Sequence, residues 1–169
     1  MTRTTNARLA GVTFLLYMAS GMASMGLRGQ AHVTAMLTLL MSFSALVLGV
    51  TLFAITRGVD ADLALLALLC RVVEGIPGHE TSAIYFAVGS TIFSCLLLRG
   101  RIIPVTLAWL GVFASVLLAV ILPLQRFGVL GTTGWSSSAA WIMWLPMLVF
   151  ELLLALWLLT KGVREPTAR

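Results

Sequence analysis

The chain has 169 residues, of which 60% are hydrophobic and 10% are charged, and its mean hydropathy is +1.04. Because soluble domains carry about 25% charged residues, this composition excludes an ordinary water-exposed surface and indicates a polytopic membrane protein. The net charge of +5 comes from basic residues scattered between apolar runs, without the basic clusters or aromatic platforms of nucleic-acid binding. We therefore expect the lipid bilayer, and no nucleic acid, as a partner.

Six apolar segments follow one another along the chain, and crossing a bilayer core takes roughly 20 helical residues. They are approximately 9–27, 33–56, 61–77, 81–98, 102–124 and 139–160. The runs are continuous rather than alternating, so they predict helices and not barrel strands. Since the connections are short, we predict a single all-α transmembrane domain over residues 1–169. The first run follows two arginines, as a signal peptide would, and we expect it to be an uncleaved helix.

Lysine and arginine are distributed unevenly between the two sides of these six spans. Arg28 and Arg126 lie on one side, and Arg71 lies within the third span. The other eight basic residues lie on the opposite side: Arg3, Arg8, Arg57, Arg99, Arg101, Lys161, Arg164 and Arg169. Because the side richer in Lys and Arg faces the cytoplasm, both termini are predicted to be cytoplasmic. Five spans would put the termini on opposite sides and remove this asymmetry.

Three charged residues lie inside apolar runs, namely Arg71 and Glu74 in the third and Glu151 in the sixth. A charge at the bilayer centre costs at least about 2.5–3.5 kcal/mol on insertion scales, so these residues indicate a polar interior. In antiparallel spans, Arg71 would lie roughly 15 Å and Glu151 roughly 13.5 Å from the cytoplasmic surface. We therefore predict an Arg71–Glu151 pair near the midplane, with Glu74 as the second partner of the arginine.

Small and hydroxyl-bearing residues accompany these charges. The face of the third span that bears Arg71 also carries small residues that permit close helix approach: Ala64, Ala67, Gly75 and Gly78. Hydroxyl stripes on other spans are candidates for a polar lining: Tyr17, Ser20, Ser42 and Thr91. Such hydroxyls are better explained as interhelical contacts, which contribute about 0.6 kcal/mol each on average.

Two functions remain open at this point. In the first, the charged centre binds or passes a small polar or amphiphilic molecule, and Arg71 engages an anionic group. In the second, the protein is a structural or partner subunit, because an ion pair between helices can simply fix helix packing. The oligomeric state does not follow from either alternative.

An enzyme is poorly supported, because the chain contains no zinc-protease, serine-hydrolase or phosphate-loop motif. No catalytic residue is therefore predicted. His32 and His79 lack the spacing of metal ligands, so no metal site is predicted. Cys70 and Cys95 lie in apolar segments and are interpreted as buried hydrophobes. No cofactor is predicted, and the Trp and Met residues are interpreted as packing and interface residues.

Three stretches carry a family resemblance. They are Arg8-Leu-Ala-Gly-Val-Thr-Phe-Leu-Leu-Tyr17, Arg71-Val-Val-Glu74, and Phe150-Glu-Leu-Leu-Leu-Ala-Leu-Trp157 followed by Lys161-Gly162. They resemble the bacterial membrane family called domain of unknown function 4386, over nearly the whole chain. The resemblance implies a six-helix protein of the bacterial cytoplasmic (inner) membrane with intramembrane charges. It implies no particular biochemical activity.

Overall fold

A computed structural model of the protein describes residues 2–27, 29–76, 81–129 and 137–164. These residues form six α-helices and contain no strand, which confirms the predicted all-α class. The helices are Arg3–Gly26 (α1), Ala31–Thr56 (α2), Ala61–Glu74 (α3), Ser82–Arg99 (α4), Val105–Arg126 (α5) and Ser137–Thr160 (α6).

Local capping determines where several of these helices begin. α1 begins at Arg3 rather than near residue 9, because the Thr2 side chain accepts a hydrogen bond from the Thr5 backbone N–H. α3 begins after Asp60, whose carboxylate accepts the backbone N–H of Leu63 at 3.1 Å. Such signals come from single polar residues, so a segment average of hydropathy does not detect them.

α3 is shorter than the sequence predicts. It has 14 residues and ends at Glu74, instead of continuing to residue 77. At 1.5 Å per residue it is about 21 Å long, which is less than the roughly 30 Å hydrocarbon core. The other five helices are long and apolar enough to cross a membrane. Gly78 and His79, which entered the sequence predictions, lie outside the described residues.

The six helices form a closed ring in chain order. Each helix packs against the next one, and α6 packs against α1. Glycine allows the closest approaches, as at Gly89 on α4, where a Cβ atom would lie 2.9 Å from the Cβ of Cys70 on α3. That separation is shorter than Cβ atoms tolerate, so α3 and α4 meet at a point where one helix has no side chain.

Several basic residues lie together at one end of the ring. Arg3 at the start of α1 donates from Nη2 to the carbonyl oxygen of Ile55 near the end of α2, at 2.9 Å. The Nη1 atom of Arg99 lies 3.7 Å from Oδ2 of Asp60, which joins the end of α4 to the start of α3. We call this region the basic end; it contains Arg3, Arg57, Arg99, Arg101 and Arg164.

The ring carries apolar side chains on its outer surface and polar ones inside. Phe43, Trp109 and Ile142 are examples of large exposed hydrophobic residues on three different helices. Arg71 and Glu151, by contrast, are buried. An apolar exterior of this extent suits contact with lipid, in which polar groups must be satisfied inside the protein.

Candidate functional site

Arg71 is the most thoroughly engaged of the three internal charges. It lies in the last turn of α3 and is only 1% exposed. Its Nη1 donates to both carboxylate oxygens of Glu74, at 3.0 and 3.2 Å, and its Nη2 donates to Oγ of Ser90 on α4 at 3.0 Å. Its Cζ atom also lies 4.9 Å from the centroid of the Phe86 ring, within cation–π range. The guanidinium therefore joins α3 to α4.

Glu74 connects the same group to α1. The Tyr17 hydroxyl donates to Oε1 of Glu74 at 2.7 Å, in addition to the two contacts from Arg71. The Tyr17 ring is stacked on Phe86, with 6.4 Å between centroids and 8° between planes. Three helices, α1, α3 and α4, are thus held by one hydrogen-bonded network that centres on a carboxylate and a guanidinium.

Glu151 lies near this network and forms no direct ion pair with it. The salt bridges among the described residues are Arg71–Glu74 and Arg99–Asp60, so the predicted direct Arg71–Glu151 pair is wrong. The physical reason is helix placement. α3 and α6 are not neighbours in the ring, whereas Glu74 lies one turn from Arg71 on the same helix. Glu74, which was predicted as the second partner of Arg71, forms the ion pair with it.

Arg71 and Glu151 nevertheless share a small internal space. Both line a cavity of about 10 Å³, together with Ser90 and Ser94 of α4. Nε of Arg71 and Oε1 of Glu151 are buried and have no hydrogen-bond partner among the described residues. The similar depths predicted for the two charges agree with this shared cavity, although their side chains do not form an ion pair.

A second, larger cavity of about 440 Å³ begins where α3 ends, on the side away from the basic end. It is half-open, and its floor includes Tyr17, Glu74 and Glu151. Its walls are mostly aromatic rings and methionines: Phe86, Trp141, Trp144, Met18, Met22, Met25, Met41 and Met147. The cavity lies beyond the C-terminal end of α3, which is shorter than the other five helices. Arg71 does not line it.

The four residues predicted as polar lining divide into two pairs. Tyr17 and Ser42 line the large cavity. The Ser20 and Thr91 hydroxyls instead donate to backbone carbonyls one turn earlier in their own helices, at 2.6 and 2.8 Å. Hydroxyl stripes therefore indicate helix faces correctly without showing which hydroxyl groups reach a cavity.

Two contacts of Arg71, those with Ser90 and Phe86, were not predicted from the sequence. The sequence does contain a pattern that indicates these contacts. Phe86, Ser90 and Ser94 are spaced by four residues, so they lie on one face of α4. Thr91 was predicted instead. It is next to Ser90 in the chain but points in a different direction on the helix. The methionine-rich wall could not be predicted from the sequence either, since Met is also common in helix packing.

The ring of helices, five of them able to cross a bilayer, indicates a multi-pass α-helical membrane protein with charges at its centre. The chain belongs to the family described as Domain of unknown function (DUF4386), whose sequence profile matches residues 78–162, just over half of the chain. This confirms the family resemblance and covers Glu151, whereas Arg71 and Glu74 lie outside the matched range. No curated protein and no solved structure matches the chain.

Proposed function

We propose that this is a six-crossing protein of the bacterial cytoplasmic membrane, with both termini in the cytoplasm. The Arg99–Asp60 contact supports six crossings, because it brings the end of α4 to the start of α3. In this six-crossing arrangement the chain reaches the opposite side between residues 61 and 82, although α3 is shorter than the other helices. The excess of basic residues orients the basic end toward the cytoplasm, and the large cavity then opens outward.

The large cavity is a binding site for a small amphiphilic molecule. This proposal rests on one observation: the cavity has walls of methionine and aromatic side chains, and its floor contains two carboxylates. Its volume of about 440 Å³ lies within the range of about 300–1,000 Å³ found for ligand sites. Methionine side chains adapt to ligands of different shape. A molecule with an apolar body and one polar end would satisfy both the walls and the floor.

Passage of such a molecule across the membrane would require the charged group to move. On the side of Glu151 toward the basic end, Arg71 and Glu151 line a cavity of about 10 Å³. This volume is near the lower limit for one water molecule. The geometry therefore favours binding from the outer side, and transport would need Arg71 and Glu151 to separate.

Thiol labelling tests the binding site. Ser42→Cys would place a thiol in the cavity wall, and Phe43→Cys would place one on the neighbouring lipid-facing position. Both would be made with Cys70→Ala and Cys95→Ala and reconstituted in lipid nanodiscs. We expect N-ethylmaleimide to react faster at position 42, because the half-open cavity gives a thiol there access to water, whereas position 43 faces lipid, where a thiolate is disfavoured. Benzyl alcohol, benzyltrimethylammonium and phenylmethanesulfonate serve as probes, and at least one should slow this reaction. Equal rates at the two positions without protection would contradict the proposal.

A structural role is the second candidate, and the network of Tyr17, Glu74, Arg71 and Ser90 favours it. These side chains connect α1, α3 and α4 through hydrogen bonds of 2.7–3.2 Å. This role explains the contacts of Arg71 and Glu74. It does not explain the unpartnered buried oxygen of Glu151 or the large cavity. It predicts a loss of stability on breaking the network and no protection by any probe in the labelling experiment.

A further inference from the structure

We infer that the ligand of the large cavity is an organic cation, with an ammonium group joined to an apolar body. This inference rests on the proposed binding function and specifies the chemical class of the ligand. Three independent features support it: the sign of the charge on the cavity floor, an unpartnered carboxylate oxygen, and the aromatic rings in the wall.

The charges on the cavity floor favour a cation. Glu74 and Glu151 line the cavity, whereas Arg71 does not, and its Nη1 and Nη2 atoms are already bonded to Glu74 and Ser90. When all three groups are ionised, one guanidinium against two carboxylates leaves one net negative charge. An anionic ligand would meet this charge without access to the guanidinium. The expectation that Arg71 engages an anionic group is therefore replaced by recognition of a cation by carboxylates.

Glu151 is the carboxylate with an unpartnered oxygen among the described residues. Glu74 accepts hydrogen bonds from Arg71 and Tyr17, but Oε1 of Glu151 accepts none from the described residues. Glu151 is only 5% exposed, and a buried polar atom without a partner is costly. A positively charged group in the cavity would compensate this carboxylate. We therefore assign Glu151 as the residue that recognises the ammonium group.

Aromatic rings complete the recognition site. Tyr17, Phe86 and Trp144 form a continuous series, with centroid distances of 6.4 and 5.9 Å between successive rings. All three residues line the cavity, and Trp141 adds a fourth ring. Aromatic faces attract organic cations, and this attraction strengthens where water is excluded. The methionine wall would then contact the apolar body of the ligand.

The test compares three probes that share a benzyl group and differ in charge. Benzyltrimethylammonium, benzyl alcohol and phenylmethanesulfonate would be titrated calorimetrically into wild-type protein in nanodiscs of a neutral glycolipid, with empty discs as the blank. We expect the cation to bind at least about tenfold more tightly than either of the other probes. Equal affinity for benzyl alcohol would overturn the cation assignment and leave the proposed binding function intact. No binding of any probe would overturn both.

Two substitutions in the cavity and one control on the exposed surface show which residues cause the preference for the cation. Glu151→Gln should remove the preference for the cation while retaining the binding of benzyl alcohol. Trp144→Leu should weaken the cation several-fold, whereas Trp109→Leu, an exposed tryptophan on α5, should leave the affinity unchanged. Retention of the full cation preference in Glu151→Gln would overturn the assignment. The wild-type comparison of probes still decides the question if a variant fails to fold.

The lipid in the nanodisc distinguishes two sources of the ammonium group. Discs of phosphatidylethanolamine present ammonium headgroups, whereas discs of the neutral glycolipid do not. Weaker binding of benzyltrimethylammonium in phosphatidylethanolamine would support a lipid headgroup as the natural occupant, because the headgroup would compete for Glu151. Equal affinity in the two lipids would support a free organic cation.

Discussion

Replacement of Arg71 by methionine should destabilise the folded bundle by about 3–5 kcal/mol, the cost of removing one member of a buried ion pair. Methionine retains an unbranched apolar stem, so most of this loss arises from charge. The Glu74 side chain is only 4% exposed and, among the described residues, would keep one donor, the Tyr17 hydroxyl. Ser90 would also lose its contact with the guanidinium.

The double variant Arg71→Met/Glu74→Met determines whether this loss comes from the unpaired charge. Removing both charges eliminates the uncompensated carboxylate, but leaves the Tyr17 hydroxyl without its acceptor at 2.7 Å. A buried donor in that condition costs about 1–3 kcal/mol, so the double variant should be more stable than Arg71→Met and less stable than wild type. This order is opposite to what additive effects of two substitutions would produce.

Equilibrium unfolding in mixed micelles of dodecyl maltoside and sodium dodecyl sulfate, followed by far-UV circular dichroism, measures these differences. Arg99→Met is the matched control, because its ion pair with Asp60 is 3.7 Å long and its side chain is 61% exposed. Such pairs contribute about 0–1 kcal/mol. If Arg71→Met costs no more than Arg99→Met, or if the double variant is the least stable of all, the reasoning is refuted.

Three further predictions use the same unfolding assay. Tyr17→Phe should cost about 1.5–3 kcal/mol, because it removes a hydrogen bond of 2.7 Å to a carboxylate, and an unchanged unfolding midpoint would contradict that network. Gly89→Ala should cost about 1–3 kcal/mol by overpacking α3 against α4, whereas Gly26→Ala, with nothing within 4 Å of its added Cβ, should have little effect. Equal losses in the two glycine variants would argue against this close approach. Glu151→Gln should be neutral or stabilising without ligand, because neither salt bridge among the described residues includes this carboxylate. A loss as large as that of Arg71→Met would instead place Glu151 in the structural network.

The all-α class and the approximate helix positions could be predicted from sequence, because a bilayer imposes a length and an apolar composition on each crossing segment. The high cost of a charge in lipid also explains why Arg71, Glu74 and Glu151 could be identified as internal residues. Both arguments depend on the environment rather than on contacts between particular side chains. They apply before any tertiary structure is known.

The pairing within the charged group could not be predicted in the same way. Counting residues from a helix end gives the depth of Arg71 and Glu151, but not the direction in which each points around its helix. That direction depends on the order of helices in the ring, where α3 and α6 are not adjacent. The neighbour on the same helix, Glu74, therefore became the ion-pair partner.

The large cavity could not be predicted from the sequence patterns either. It begins where α3 ends at Glu74, whereas hydropathy extended that helix to residue 77. The methionines and tryptophans that were interpreted as packing residues line it from α1, α2 and α6. Apolar side chains next to a void and apolar side chains in a filled core have the same sequence signature.

The central claim is that Glu151 and the aromatic wall hold an organic cation in this cavity. A structure of the protein with 4-bromobenzyltrimethylammonium, located by the bromine signal, tests it most directly. We expect the probe in the large cavity, with its ammonium group next to Glu151 and within about 6 Å of the Trp144 ring. A cavity filled by an acyl chain, with the probe bound elsewhere and no cationic group at Glu151, would contradict it.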